Sequence, residues 1–222
     1  MPQIENQTLN ELQIRLVELH EDECQRLALD LLANGIDHAI LKETFRPALM
    51  EIGERFENGH YFASSLIPVG QTIRKIMASI YDQPGLEPFP GRVLLVASSG
   101  LSREDNLNSL LSLVLGSLGF EVWDVGEESA PDALLAEARQ FKPHGLGFLH
   151  GRPAQSGRIG RLVKTLKENW PQNPKPFVFL AGSKAEALKR ATRVDFALVS
   201  VSGALAMYHS LLMTYPFGSF TP

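Results

Sequence analysis

The chemistry-bearing side chains of this chain gather in a few short stretches. Ser98 to Asn106 is the first: a polar, glycine-containing turn holding Gly100, Leu101, Ser102, Arg103, Glu104, Asp105 and Asn106. Its hydroxyl, guanidinium and carboxylates are groups that contact a ligand. Ser102 as a helix N-cap over Asp105 is an equally good reading of the same residues. The turn lacks the Gly-Lys-Ser/Thr ending of a Walker A loop and the G-x-G-x-x-G dinucleotide fingerprint. His150, in Gly147-Phe148-Leu149-His150-Gly151-Arg152, is a proton carrier or metal ligand by chemistry. Taken alone, a rim histidine bonded to a loop is the commoner arrangement. Arg152, Arg158 and Arg161 offer a basic patch for a phosphate, although a solvated helix face is more usual. Ala181-Gly182-Ser183 is a small-residue turn against which a ligand can lie, as ordinary strand-to-helix turns also are. His60 falls between two helices and is expected to be exposed. His20, His38, His144 and His209 show no metal-ligand spacing. Spacing assigns no Ser/His/Asp triad and no paired carboxylates, so no catalytic constellation is visible.

The elements that must position these residues are legible from periodicity. Arg92 to Ser98 is an apolar run of the kind buried on both faces of a parallel sheet. Asn106 to Leu118 is apolar at helical spacing, Gly119 fits its C-cap, and Phe120 to Val125 is the next strand. Strands at Gly145–His150, Phe177–Ala181 and Phe196–Ser200 follow. They alternate with helices near Pro131–Phe141, Ser156–Trp170 and Lys184–Arg190, and a last helix covers Gly203–Met213. Five strands in strict alternation predict an open parallel sheet with helices on both faces, its ligand site at the carboxyl ends of the strands. Before the sheet, four amphipathic patterns predict a four-helix bundle. They are Thr8–His20 with Thr8 and Glu11 as a capping box, Glu21–Ala33, a helix capped by Asp37 and bent at Pro47, and Phe62–Tyr81. Three prolines and two glycines in residues 82–91 mark a stiff linker. The predicted division is 1–83 for the bundle, 84–91 for the linker and 92–222 for the sheet domain.

Composition bounds the function. The chain has 222 residues, 44% of them hydrophobic, and a net charge of −4. That length suits two modest domains, and that charge gives no general attraction to nucleic acid or anionic membrane. Cys24 is the only cysteine, which excludes an internal disulfide framework and suits a reducing compartment. No signal peptide and no membrane-spanning run is read, so a soluble cytoplasmic protein is expected.

Gly53-Glu54-Arg55-Phe56-Glu57-Asn58-Gly59-His60-Tyr61-Phe62 resembles the G-E-x-F-E-x-G-x-x-F segment of the helical cap of cobalamin-binding corrinoid proteins. That family includes the cobalamin modules of methionine synthase, methyl-carrier proteins and cobalamin light sensors. The resemblance runs from the first helix to about Met213. It implies an α/β fold: an N-terminal four-helix bundle cap, then a flavodoxin-like five-stranded parallel sheet domain. It also implies that a flat cofactor is held by Phe56, His60, Phe62, Gly100, Leu101, Ser102, Arg103, Asn106, His150, Gly151, Ala181 and Gly182.

The chain departs from the family at its defining loop, G-D-x-H-x-x-G, whose histidine is the lower ligand of cobalt. Leu101 stands for the aspartate, Arg103 for the histidine and Asn106 for the last glycine. A guanidinium stays protonated and has no lone pair for a metal. The resemblance implies that the nucleotide tail passes this last glycine, so the bulk of Asn106 is expected to obstruct it. His150-Gly151-Arg152 replaces the family's S-x-L, and Ala181-Gly182 its G-G. Three readings follow, in this order. The first is a regulatory or sensory protein binding cobalamin or heme without the usual histidine, with His150 or His60 as the axial ligand to test. The second is a corrinoid methyl carrier serving a methyltransferase, the enzymatic alternative. The third is a cofactor-free module acting through protein contacts. No helix-turn-helix is present, so a gene-regulatory role would run through a protein partner.

Overall fold

The computed structural model describes residues 2–81, 91–97, 107–127, 131–149, 156–170, 175–182 and 184–214. The chain divides into two compact units. One comprises residues 1–90, 117–119 and 204–222; the other comprises 91–116 and 120–203.

The helical unit contains α1 (Pro2–Val17), α2 (Glu21–Ala33), α3 (His38–Glu57), a short 3-10 turn (Ala63–Ser65) and α4 (Leu66–Tyr81). It also takes in α9 (Val201–Thr214) from residue 204 onward. α1 packs on α2 and α3, and α2 packs on α4. The predicted apolar stripes face inward: Leu12, Leu16, Cys24, Leu41, Phe45, Ile52 and Ile73 are all buried. Asp37 caps α3 as predicted, its Oδ1 accepting the Ala39 N–H at 2.7 Å. Thr8 does not cap α1. The helix begins at Pro2, a residue whose fixed φ and missing N–H suit a first helical position, so Thr8 lies inside it. α1 also stops at Val17, short of His20. Leu19 takes a left-handed φ of 64°, and the His20 N–H donates back to the Arg15 carbonyl at 2.9 Å. That closure is of the Schellman type with leucine in the usual glycine position.

The sheet unit has β1 (Arg92–Ala97), β2 (Glu121–Glu127), β3 (Gly145–Leu149), β4 (Phe177–Ala181) and β5 (Phe196–Leu198). Among the described residues these form one parallel sheet in the order β2-β1-β3-β4-β5. Between them run α5 (Leu107–Ser117), α6 (Pro131–Phe141), α7 (Ser156–Asn169) and α8 (Ala185–Thr192). β3 and β4 are buried along their whole length, as the continuous apolar runs require. Val96, Leu146, Phe148, Val178 and Leu180 form a core with Leu134, Leu135, Phe141, Ile159, Leu162 and Leu166 of α6 and α7. The alternate residues of β3 are glycines. A Cβ on Gly145 would lie 2.3 Å from the Phe177 ring, and one on Gly147 would lie 2.2 Å from the Phe179 ring. The missing side chains of β3 thus make room for two aromatic rings of β4, which stack with centroids 6.4 Å apart.

The predicted linker residues 84–90 lie outside the described residues, and the sheet unit begins at Gly91. Residues 204–222 count with the helical unit, where the sequence places all of 92–222 in the sheet domain. α9 is held there by contacts the local pattern does not reveal. Tyr208 is fully buried, and the His209 Nε2 bonds the Lys42 carbonyl of α3 at 3.2 Å. β5 ends at Leu198 instead of Ser200, because α9 already starts at Val201. Among the described residues, no helix is long and apolar enough to cross a membrane.

Candidate functional site

In the sheet unit, β1 and β3 are neighbours, and the chain leaves them toward opposite edges of the sheet. This is the topological switch point at which open α/β sheets bind ligands beyond the carboxyl ends of the strands. The last strand residues form a closed row: Ala97 pairs with Leu149, Leu149 with Ala181, and Ala181 with Leu198. The β1–β2 register slips just there, between Leu95 and Ala97, a bulge of the kind often found beside binding sites. The sequence following Ala97 and Leu149 holds Gly100, Leu101, Ser102, Arg103, Asn106, His150 and Gly151. All seven lie outside the described residues.

Ala181, the last residue of β4, and Gly182 after it are described, and both are buried. Gly182 has φ 138°, a conformation that a side chain strains. Its N–H donates to the Leu198 carbonyl at 3.0 Å, and its carbonyl accepts from the Ala185 N–H at 2.9 Å. Its backbone polar groups are therefore committed to joining β4, β5 and α8.

In the helical unit, the segment that carried the family resemblance forms the end of α3 and the turn into α4. Gly59 takes φ 76°, and the Gly59 N–H donates to the Phe56 carbonyl at 3.0 Å. The N–H groups of His60 and Tyr61 both donate to the Arg55 carbonyl, at 2.8 and 3.2 Å. The Arg55 guanidinium is held by the Glu51 carboxylate at 2.5 Å and lies 5.8 Å from the Tyr61 ring centroid. The Tyr61 hydroxyl donates to the Val17 carbonyl at the end of α1. The Phe62 N–H donates to Ser65 Oγ at 3.3 Å, and the Ser65 N–H donates to the Phe62 carbonyl at 2.9 Å. So firmly tied a turn nevertheless leaves Phe62 73% exposed, with Phe56 half-buried. A single exposed ring is ordinary on a protein surface and becomes informative only if something covers it.

His60 is exposed as predicted. It lines a cavity of about 780 Å³ with Pro47, Met50, Glu51, Glu54, Arg55 and Asn58. Phe56 and Phe62 are not among its walls. The sequence reading missed the other wall residues. Their signal was the i, i+3, i+4 recurrence Pro47, Met50, Glu51, Glu54, Arg55 and Asn58, the polar face of α3.

No group of three or more His, Cys, Asp or Glu among the described residues could hold a metal ion. Three of the described histidines are committed elsewhere. His144 Nδ1 accepts the Arg92 N–H at 2.9 Å, at the amino end of the sheet. His209 bonds the Lys42 carbonyl, and His20 lies 3.6 Å from the Glu18 carboxylate.

Fold and site together define a helical cap segment joined in one chain to a flavodoxin-like sheet. Residues 8–81 match the family model described as B12 binding domain. The matched residues include Gly53–Phe62, on which the corrinoid resemblance was read. A solved cobalamin-binding protein from Desulfitobacterium hafniense DCB-2 is similar in structure. It is 21% identical with TM-score 0.56, over 90% of this chain and 96% of that one. A methanol:cobalamin methyltransferase complex from Methanosarcina barkeri is similar at 14% identity and TM-score 0.51, over 96% of this chain and 82% of that one. At these identities the two likenesses establish the fold.

Proposed function

We propose that the protein binds a corrinoid cofactor, cobalamin, and does so without a histidine from the loop after β1. The observation that carries this reading is the match of residues 8–81 to the B12 binding domain, on a chain whose second unit has the strand order β2-β1-β3-β4-β5. Each unit by itself offers a feature compatible with a macrocycle that brings its own cobalt: Phe62 an exposed ring in the helical unit, and Ala181-Gly182 a strand end without bulk in the sheet unit. The residues do not fit histidine ligation from the first loop, because Arg103 occupies that place in the sequence and cannot donate a lone pair. Bound cobalamin supplies a cobalt centre that can carry an alkyl group. This chain's residues bind and shield the macrocycle.

His150 follows Leu149 directly, at the end of the strand adjacent to β1, and is the first histidine to test as an axial ligand. His60 is the second. Arginine in place of the ligating histidine favours a regulatory or sensory role over methyl transfer, because it removes the switchable ligand from the first loop. Such a role requires a protein partner.

The experiment is reconstitution with hydroxocobalamin, and separately with hemin, followed by gel filtration and absorbance from the Soret region to the red. Retained cobalamin whose cob(II)alamin spectrum changes on His150→Ala, but not on Arg103→Ala, supports the reading and assigns the ligand. A spectrum unchanged in both His150→Ala and His60→Ala leaves the cofactor with its own base. Exclusive retention of hemin, or of neither compound, overturns the reading. Methylcobalamin formation with a methyltransferase partner would replace the regulatory role by the carrier role.

A further inference from the structure

α5 carries no charge. Its sequence, LNSLLSLVLGS, holds no Asp, Glu, Lys or Arg, and neither do the three residues after it. One side faces inward: Leu111, Val114 and Leu115 are buried, as is Leu118 just beyond the helix. The opposite side is apolar too. Leu110 is 37% exposed and Leu113 49%, and the exposed Gly116 completes a row at i, i+3, i+6. Among the described residues, other large exposed apolar side chains come one to an element, as Ile14, Leu29, Ile40, Ile67 and Trp123 do. α5 exposes two. Single apolar residues on a surface are ordinary, whereas adjoining ones mark a contact. Leu110, Leu113 and Gly116 all belong to the sheet unit.

We propose that this face of α5 is where two copies of the chain associate, with their helices antiparallel about a twofold axis at Leu113.

The row is self-complementary, as a twofold contact must be. With the axis at Leu113, the two Leu113 side chains meet. Position 110 of one copy then faces position 116 of the other, because both lie three residues from the axis. That pairs a leucine with a glycine, twice. Outside the helix's own backbone, a Cβ on Gly116 would meet nothing within 4 Å. A notch therefore stands open for the Leu110 side chain of the second copy. Charge favours the same occupant. A net charge of −4 sets two copies against each other in general. On α5 no like charges meet, and a partner selected by its charge finds nothing to pair with. Three positions a side cover less than the roughly 1,200 Å² at which stable interfaces begin, so the contact is transient and its occupancy rises with concentration.

Sedimentation equilibrium of the purified full chain, from about 10 µM to 1 mM, reads this association. The expected weight-average mass rises from one chain toward two. Leu113→Asp sets two carboxylates face to face on the axis and holds the mass at one chain; Leu113→Lys does the same with two ammonium groups. Mixed in equal amounts, the two variants pair opposite charges on the axis, and the rise returns. Position 113 is exposed, so the urea midpoint of each variant stays near that of the wild type. Gly116→Leu fills the notch and weakens association by about tenfold or more, while favouring the helix itself. A mass of one chain throughout the series, as for a face that some other protein covers, overturns the proposal. A rise that survives Leu113→Asp overturns it as well. So does a wild type that associates while the mixed variants do not, because the axis then lies elsewhere. If either Leu113 variant fails to fold, Gly116→Leu decides, and association unchanged within twofold overturns the proposal.

Discussion

Replacing Phe62 by alanine separates a contact surface from a structural residue. The ring is 73% exposed, on a turn fixed by backbone bonds that the substitution leaves intact. Removing it should change folding stability by less than about 0.5 kcal/mol, as at other surface positions. The cost appears on binding. Full burial of a phenylalanine side chain contributes about 1.5–3 kcal/mol. Scaling by the exposed fraction gives about 1–2 kcal/mol for covering this ring with a macrocycle, or a loss of about 5- to 30-fold in affinity. Phe45 is the contrast: it is fully buried in the helical unit, and Phe45→Ala should cost about 3–5 kcal/mol of stability. The assay is an absorbance titration with hydroxocobalamin for Kd, beside urea unfolding for stability. Affinity unchanged within twofold in Phe62→Ala would refute the reasoning. So would a urea midpoint that falls as far as that of Phe45→Ala.

Further outcomes follow from the packing and the titrating groups. Gly147→Ala places a Cβ 2.2 Å from the Phe179 ring and 2.6 Å from Leu95. It should therefore destabilise by about 1–3 kcal/mol, and Phe179→Leu in the same chain should recover part of that loss, as a double-mutant cycle in urea would show. Cys24 is buried, and burial pushes its thiol up to about 12. Iodoacetamide at pH 8 should alkylate it only after unfolding. Because the native value is raised, its stabilisation is complete below the unfolded value of about 8.5 and is lost as pH rises toward 12. Cys24→Ala should flatten that alkaline decline in a stability-against-pH series. Tyr61→Phe removes the hydroxyl that donates to the Val17 carbonyl. It should cost about 0.5–1.5 kcal/mol by thermal unfolding and leave cobalamin affinity within twofold.

Much of this architecture was legible because it is written locally. Asp37 announced the start of α3, the apolar runs announced β3 and β4, and their alternation with helices announced the parallel sheet. What failed depended on distant or competing contacts. Thr8 looked like a cap because nothing local shows that Pro2 already starts the helix. The attachment of α9 to the helical unit includes a bond from His209 to a carbonyl 167 residues earlier, which no local pattern shows. Gly145 and Gly147 read only as small residues until the rings of Phe177 and Phe179 are seen to occupy their space. At the site, the sequence named His60 but not the cavity on the polar face of α3, whose walls are spread over a dozen residues. The exposure of Phe62 could not be read either, because the apolar pattern counts it into the fourth helix, whereas α4 starts only at Leu66 after the 3-10 turn Ala63–Ser65. Arg103 in the place of a ligating histidine, by contrast, is visible in the sequence alone.

Cobalamin binding without the first-loop histidine is tested most directly by a stoichiometric titration of the purified protein with hydroxocobalamin, with the cofactor then reduced to cob(II)alamin for electron paramagnetic resonance. One cobalamin per chain is expected, with a spectrum indifferent to Arg103→Ala. Failure to retain cobalamin through gel filtration, or a change of axial ligand on Arg103→Ala, would contradict it.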